Sequence, residues 1–268
     1  MPTQIPRAWL VRANNPSPMT LEGTNTWVLV EPGELDAIVV DPGPDDEVHR
    51  NAVMAAVAHA GASRVALVLL THGHPDHAEG APAFARMTDA PVRAAAPELC
   101  SPDQRPLADG EHIAQLEVMA TPGHTADSVC FVIGADADGH ASGAALLTGD
   151  TILGRGSTVV ARPDGRLADY LASLRKLRAL VDERQLLAVL PGHGPTLDDP
   201  AATIDSYLRH REERLEQVHS AAVRAQTVDE VLHAVYSDVD PALMFAARWT
   251  LLAQLDYLRE SGISVPAD

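Results

Sequence analysis

Val65-Ala66-Leu67-Val68-Leu69-Leu70 runs directly into Thr71-His72-Gly73-His74-Pro75-Asp76-His77. Six apolar residues that stop at a polar, glycine-containing segment read as a buried strand delivering a loop. His72 and His74 are two positions apart, so on an extended backbone they point the same way and can hold one cation. Asp76 and His77 follow closely enough to hold a second ion beside the first. Imidazole nitrogen and carboxylate oxygen suit a divalent metal of the zinc kind, which needs further donors from elsewhere in the chain.

Later segments supply them. Ala120-Thr121-Pro122-Gly123-His124-Thr125, Leu147-Thr148-Gly149-Asp150 and Leu190-Pro191-Gly192-His193-Gly194-Pro195 each repeat apolar strand, glycine turn and donor side chain. With the first loop they bring the donors to seven. This ordered set resembles the metallo-β-lactamase superfamily, in the oxygen-bridged form of glyoxalase II and its relatives. The resemblance implies that His72, His74 and His124 hold one divalent ion, that Asp76, His77 and His193 hold another, and that Asp150 bridges them. Zn2+ is the expected metal, with Mn2+ or iron as substitutes.

The 268-residue chain is long enough for one domain with an appendage. Its apolar share of 46% describes a soluble globular protein rather than a disordered one. A formal charge of −17 works against non-specific attraction to polyanions and anionic membranes. No apolar run approaches the roughly 20 residues that span a bilayer. Met1 to Asn15 contains Arg7 and Arg12 but no apolar signal core. Cys100 and Cys130 give no disulfide framework, so a cytoplasmic protein without a membrane partner is expected. Cys130 lies in the strand pattern Ser128 to Ile133, where it reads as a small buried hydrophobe.

In chain order, Thr26 to Val30 and Ala37 to Val40 read as a hairpin around Pro32-Gly33. Asp41, at the end of the second strand, could accept a hydrogen bond from a ligating imidazole, or serve only the Pro-Gly turn that follows. Asp45 or Asp46 caps a helix that runs to about Ala60. A short Ala-rich helix is expected from His77 to Met87, its N-terminal dipole facing the metal loop. Residues from Pro91 to Gly110 read as irregular. Strands are then expected at Ile113 to Met119, Val129 to Ile133, Ala144 to Leu147 and Leu186 to Leu190, with a hairpin turn at Asp136 to Gly139 and a helix at Leu167 to Leu180. Pattern alone gives an α/β class. The resemblance implies an αββα sandwich of two packed sheets with helices outside and the metals at one sheet edge.

The texture turns wholly helical near Pro200. Asp199-Pro200 starts a helix towards Arg224, Thr227 to Glu230 is a capping box for a second ending near Tyr236, and Asp240-Pro241 starts a third that stops at Gly262. We therefore divide the chain into a catalytic domain, 1–199, and a C-terminal helical domain, 200–268. Leu243, Phe245, Trp249, Leu251, Leu255 and Leu258 cover more than one face of the third helix, which is expected to pack on the sandwich, with a second subunit as another candidate partner. The segments Asn15-Pro16-Ser17-Pro18, Leu21 to Thr26, Gly149 to Gly154 and Pro191 to Pro195, with this tail, resemble the beta-lactamase-like protein 2 family over nearly the whole chain. That family carries a winged-helix-like domain, and some members are implicated in cleaving single-stranded RNA. Residues 225 to 240 leave little room for a β wing.

The implied chemistry is hydrolysis by a hydroxide bridging two ions, with Asp76 as the catalytic carboxylate that ligates one ion and orients the water or accepts its proton. A small acyl substrate, a thioester or ester, is the leading expectation. The alternative is a single-strand endoribonuclease, whose cutting would weaken steeply with salt. A β-lactamase, or a non-catalytic binding module, fits less well, since Asp150 stands where several zinc lactamases use Cys. Tyr207, His210, Arg211 and Arg214 share one helix face and are candidates to bind an anionic substrate, unless that face is solvated and paired with Glu212, Glu213 and Glu216.

Overall fold

Two five-stranded sheets lie face to face with helices on both outer surfaces. The computed structural model describes residues 5–134 and 144–266. In the first sheet β1 (Ala8–Arg12), β2 (Asn25–Val30), β3 (Asp36–Val40), β4 (Arg64–Leu69) and β5 (Val92–Arg93) lie in sequence order. β1, β2 and β3 pair antiparallel, while β3, β4 and β5 pair parallel. The second sheet contains β6 (His112–Ile113), β7 (Leu116–Ala120), β8 (Val129–Ile133), β9 (Ala145–Gly149) and β10 (Ala188–Pro191), again in sequence order. There only β9 and β10 run parallel.

The period of two along each strand explains the layering. Trp27 and Leu29 of β2, Leu69 of β4, Phe131 of β8 and Leu190 of β10 meet between the sheets. Their neighbours Val28, Val39 and Val68 turn outward onto α1 (Glu47–His59) and α3 (Ala81–Thr88), where Val53 and Phe84 receive them. Cys130, Val132 and Leu146 turn outward onto Tyr170 and Leu174 of α4 (Leu167–Arg184) and Ile204 of α5 (Pro200–Ala222). Strands buried on both faces read as continuous apolar runs. Cys130 is fully buried, and burial pushes its thiol up to about 11, as befits an inert packing residue.

Several boundaries differ from the sequence reading. The helix expected from His77 to Met87 is two: α2 (Pro75–Ala78) and α3, broken at Gly80. There the backbone presses against Gly43 and Pro44 so closely that a Cβ would stand 2.7 Å from the Pro44 carbonyl oxygen. The dipole of a long helix therefore does not face the centre. The strand expected at Ile113 to Met119 is a hairpin, because Ala114 takes a φ of 51° and turns the chain between Ile113 and Leu116. Val92 and Arg93, within the stretch read as irregular, add an edge strand to the first sheet. The turn expected at Asp136 to Gly139 lies outside the described residues.

Beyond β10, α5 is capped by Asp199, which accepts from Ala202 N. In α6 (Val228–Tyr236) the Thr227 hydroxyl accepts from Glu230 N, while the Glu230 carboxylate accepts from Gln226 N. A 3-10 turn at Pro241–Leu243 leads into α7 (Met244–Glu260). Val218 of α5, Val231 of α6 and Leu251 and Leu255 of α7 form a core of their own. Ile204 and Tyr207, earlier on α5, belong instead to the outer layer of the sandwich, so this one helix joins both cores. From Pro200 onward the described residues contain no strand. Phe245 and Trp249 are 44% and 46% exposed with their rings edge-on at 5.1 Å, so packing within the chain does not cover the whole stripe. No helix among the described residues is long and apolar enough to cross a membrane.

Candidate metal centre

The loops after β4, β7, β9 and β10 converge at one end of the two sheets and bring all seven donor residues together. His72 Nε2 lies 2.9 Å from His74 Nδ1, and His124 Nε2 lies 3.1 Å from the same atom. In the adjoining cluster, His77 Nε2 and His193 Nε2 are 3.3 Å apart, and Asp76 Oδ2 is 3.3 Å from the first and 3.2 Å from the second. Asp150 stands between the clusters, with Oδ1 3.4 Å from His77 Nε2 and Oδ2 3.7 Å from His124 Nε2 and 3.4 Å from His193 Nε2. Donors held roughly 2.0–2.1 Å from a tetrahedral ion stand about 3.3 Å from one another. The spacings are those of a shared ligand shell.

Hydrogen bonds on the far side of each ring fix which nitrogen faces inward. His124 Nδ1 donates to the Val159 carbonyl at 2.7 Å, His193 Nδ1 to the Gly23 carbonyl at 3.3 Å, and His77 Nδ1 to Asp41 Oδ2 at 2.9 Å. Those oxygens can only accept, so Nδ1 carries a proton and Nε2 is the nitrogen turned to the centre, the one available to a cation. Thr71 Oγ1 donates to Asp41 Oδ2 at 2.7 Å and accepts from His72 Nδ1 at 3.0 Å. Asp41, with its Oδ1 also accepting from Thr71 N at 2.8 Å, thus anchors an imidazole of each cluster. The inward-facing nitrogens crowd one another, and Asp150 Oδ1 is buried with no hydrogen-bond partner. Two divalent cations fit this donor set.

The match to the description of the Metallo-beta-lactamase superfamily spans residues 19–193, from the N-terminal loop to the last donor. The chain belongs to that superfamily. Beta-lactamase-like protein 2 homolog of Drosophila melanogaster is 29% identical, covering 92% of this chain and 86% of the relative. The atrochrysone carboxyl ACP thioesterase of Aspergillus fumigatus is 32% identical over 80% of this chain and 64% of its own length. Among solved structures, a beta-lactamase domain protein from Burkholderia ambifaria superposes with a TM-score of 0.76 at 25% identity, covering 96% of this chain and 87% of that one. TTHA1623 in a di-iron-bound form gives 0.53 at 26% identity, with 76% and 97% covered.

In this metallo-β-lactamase fold the start of β2 braces the donor loops in ways the sequence reading missed. Thr24 Oγ1 donates to Asp76 Oδ2 at 2.8 Å, and is itself held by Asn15. Asn25 Nδ2 donates to the Pro191 and Gly194 carbonyls, and Trp27 Nε1 to the Pro191 carbonyl, pinning the loop that carries His193. The available signal was a cluster of buried polar side chains, Thr24, Asn25 and Thr26, at the mouth of an apolar strand.

Electrostatics divide the histidines. Burial disfavours charge on Asp76 and Asp150, but the neighbouring His193 and His77 reverse the sign, holding Asp76 down to about 2 and Asp150 well below the usual carboxylate range. Burial likewise opposes charge on His77 and His193. Asp150, with Asp41 for the first and Asp76 for the second, nevertheless raises His77 well above its ordinary value and His193 to about 9. For His72 burial and nearby imidazoles agree, keeping it well below its ordinary value, and burial lowers His124 as well.

A cavity of about 350 Å³ opens beside His124 and Asp150, walled by the loop around Met19, the segment 153–159 and the helical tail. His210 and Arg211 line it. Tyr207 does not. Its hydroxyl accepts from Leu153 N at 2.9 Å and donates to Leu153 O at 3.2 Å, so it is a brace for the cavity wall rather than a substrate contact. The expected solvated face also fails for Arg211, which is 2% exposed, while Glu212 pairs with Arg175 instead.

Proposed function

We propose that the protein is a dinuclear metal-dependent thioester hydrolase acting on a small acyl substrate. One observation carries this reading: the cavity against His124 and Asp150 is small, with apolar walls such as Leu21, Leu153 and Val159. Such a space accommodates an acyl group rather than a polymer track. The fungal relative named as an acyl-carrier-protein thioesterase supports the same chemistry. Single-strand RNA cleavage would use the same centre, but the formal charge of −17 weighs against it.

His72, His74 and His124 would hold one ion, Asp76, His77 and His193 the other, and Asp150 both. Zinc suits these donors first, with manganese or iron as substitutes. When bound, the metals would supply Lewis acidity towards water and towards the carbonyl to be attacked. Asp76 is a standing anion beside His77 and His193, and its contribution would be to orient the water or to accept its proton. The outward hydrogen bonds of His77, His124 and His193 keep the donor geometry fixed through turnover. Free Cys100 and Cys130 accord with a cytoplasmic address.

The test is a side-by-side panel of a glutathione thioester, a chromogenic lactam and a labelled single-stranded RNA, given to metal-loaded protein. Thioester turnover alone is expected, and His74→Ala and Asp76→Ala should abolish it without unfolding the chain. Turnover retained in both variants, or RNA cleavage alone, overturns the reading.

A further inference from the structure

The cavity beside the metal centre has a charge opposite to that of the protein. Its lining includes Arg155, His210, Arg211 and Arg214, and its one carboxylate is Asp150. In a chain of formal charge −17 this is a local reversal of sign. Arg155 is neutralised by Glu22 at 2.7 Å. Arg211 and Arg214 are not: among the described residues neither has a carboxylate within salt-bridge reach. Arg211 donates to the Thr158 carbonyl, and its guanidinium carbon stands 5.0 Å from the centre of the Tyr170 ring. Its Nε is buried without a partner. Arg214 donates to the Val235 carbonyl at 2.7 Å and lies 4.8 Å from the Tyr236 ring centre.

A guanidinium 98% removed from solvent with no counter-charge is costly unless a ligand completes it. Carbonyl and ring contacts orient the two guanidinium groups but leave their charge uncompensated, which is the arrangement that recognises anionic oxygens. The imidazole of His210 is held below its ordinary value by desolvation and then by the charges of Arg211 and Arg214, which outweigh Glu213 there. Beside these cations the cavity wall is apolar, with Met19, Leu243, Ala246 and Ala247.

We infer that the substrate is an anionic amphiphile: its apolar part fills the cavity, and an anionic oxygen group seats against Arg211 and Arg214. The inference rests on the thioester reading only in taking the bond next to His124 and Asp150 as the one cleaved. The anion can belong to the acyl half, as a carboxylate, or to the thiol half, as the phosphate of a phosphopantetheine. Both present the same chemistry to a guanidinium pair.

The test is binding of uncleavable thioethers to the full chain by titration calorimetry, a readout that needs neither metal nor turnover. S-hexyl and S-(5-carboxypentyl) N-acetylcysteamine probe the acyl half. S-hexyl N-acetylcysteamine and S-hexyl coenzyme A probe the thiol half. In at least one pair the anionic member should bind about tenfold tighter, an advantage that shrinks with added salt. Arg214→Gln, at a half-buried position, and Arg211→Gln, checked for an intact melting transition, should each bring that pair to within about twofold. Equal affinities within both pairs overturn the inference, as does an advantage that survives in Arg214→Gln. An anionic preference in thioethers together with no thioester turnover leaves the inference standing and overturns the thioesterase reading.

Discussion

Gly192 stands so close to Asp150 that a Cβ on it would lie 2.6 Å from Oδ1, and 2.7 Å from Cε1 of His77. The backbone of Gly192 is not in the left-handed region, so alanine meets no conformational objection there. The exclusion is steric, and it protects a carboxylate oxygen with no hydrogen-bond partner. Gly192→Ala should therefore fold but lower metal affinity by about 10–100-fold, with the second ion lost first. Metal content after dialysis against a weak chelator checks this, and full occupancy of both sites in the variant contradicts it.

The carboxylate of Asp41 accepts from Thr71 N, Thr71 Oγ1 and His77 Nδ1 while its own backbone sits at a φ of 52°. Asn at this position keeps the shape but must turn an NH2 towards Thr71 or His77, donor against donor. Asp41→Asn should cost about 1–3 kcal/mol of stability and weaken the ion held by His77. Unchanged thermal unfolding together with unchanged metal affinity would reduce Asp41 to a turn residue.

The donor loops were legible because each begins where an apolar strand stops and carries a glycine beside a donor, a local pattern. The strands that hold Phe131 and Leu147 were legible as apolar runs, whereas the two packed sheets followed from the family resemblance and not from the pattern. What local pattern could not carry were contacts between distant segments. Thr24 touches Asp76 across 52 positions and Asn25 touches Pro191 across 166, and the polar run Thr24 to Thr26 marks the place without naming either partner. The helix break at Gly80 did carry a local signal, Gly80 followed by Pro82 at the start of the next helix, and the close approach of Gly43 and Pro44 reinforces it from a distance. Tyr207 shares a helix face with Arg211, yet helical spacing does not reveal that the Leu153 backbone already engages its hydroxyl.

Metal binding should release protons. In the metal-free protein His193 is raised to about 9, so it is charged at pH 7.5, and a cation must displace that proton to reach Nε2; the neighbouring carboxylates shift His77 in the same direction. Because these folded values exceed the unfolded one of roughly 6.5, their contribution to the stability of the metal-free fold is complete below pH 6.5 or so. The His193 part is lost as pH rises through about 9. Metal affinity should climb over the same window. Calorimetric titration at pH 7.5 in buffers of different ionisation enthalpy should count at least one proton released, and a count of zero excludes the carboxylate-charged histidines described above.

Thr24 is a positioning residue for Asp76. Its hydroxyl donates to Oδ2 at 2.8 Å, and Asn15 fixes it from behind by donating to the same hydroxyl at 3.0 Å and accepting from Thr24 N at 2.9 Å. Valine has nearly the same shape without the hydroxyl, so Thr24→Val removes the hydrogen bond to the charged Asp76, about 1.5–3 kcal/mol, together with the one Thr24 accepts from Asn15 Nδ2. If Asp76 orients the attacking water, that loss falls on kcat, by about tenfold or more, with KM within about twofold because the cavity that binds the acyl group is untouched. Thr24→Ser, which keeps the hydroxyl, should recover most of kcat. A merely structural role predicts the opposite pattern: a lower melting temperature in both variants, with kcat per folded molecule unchanged.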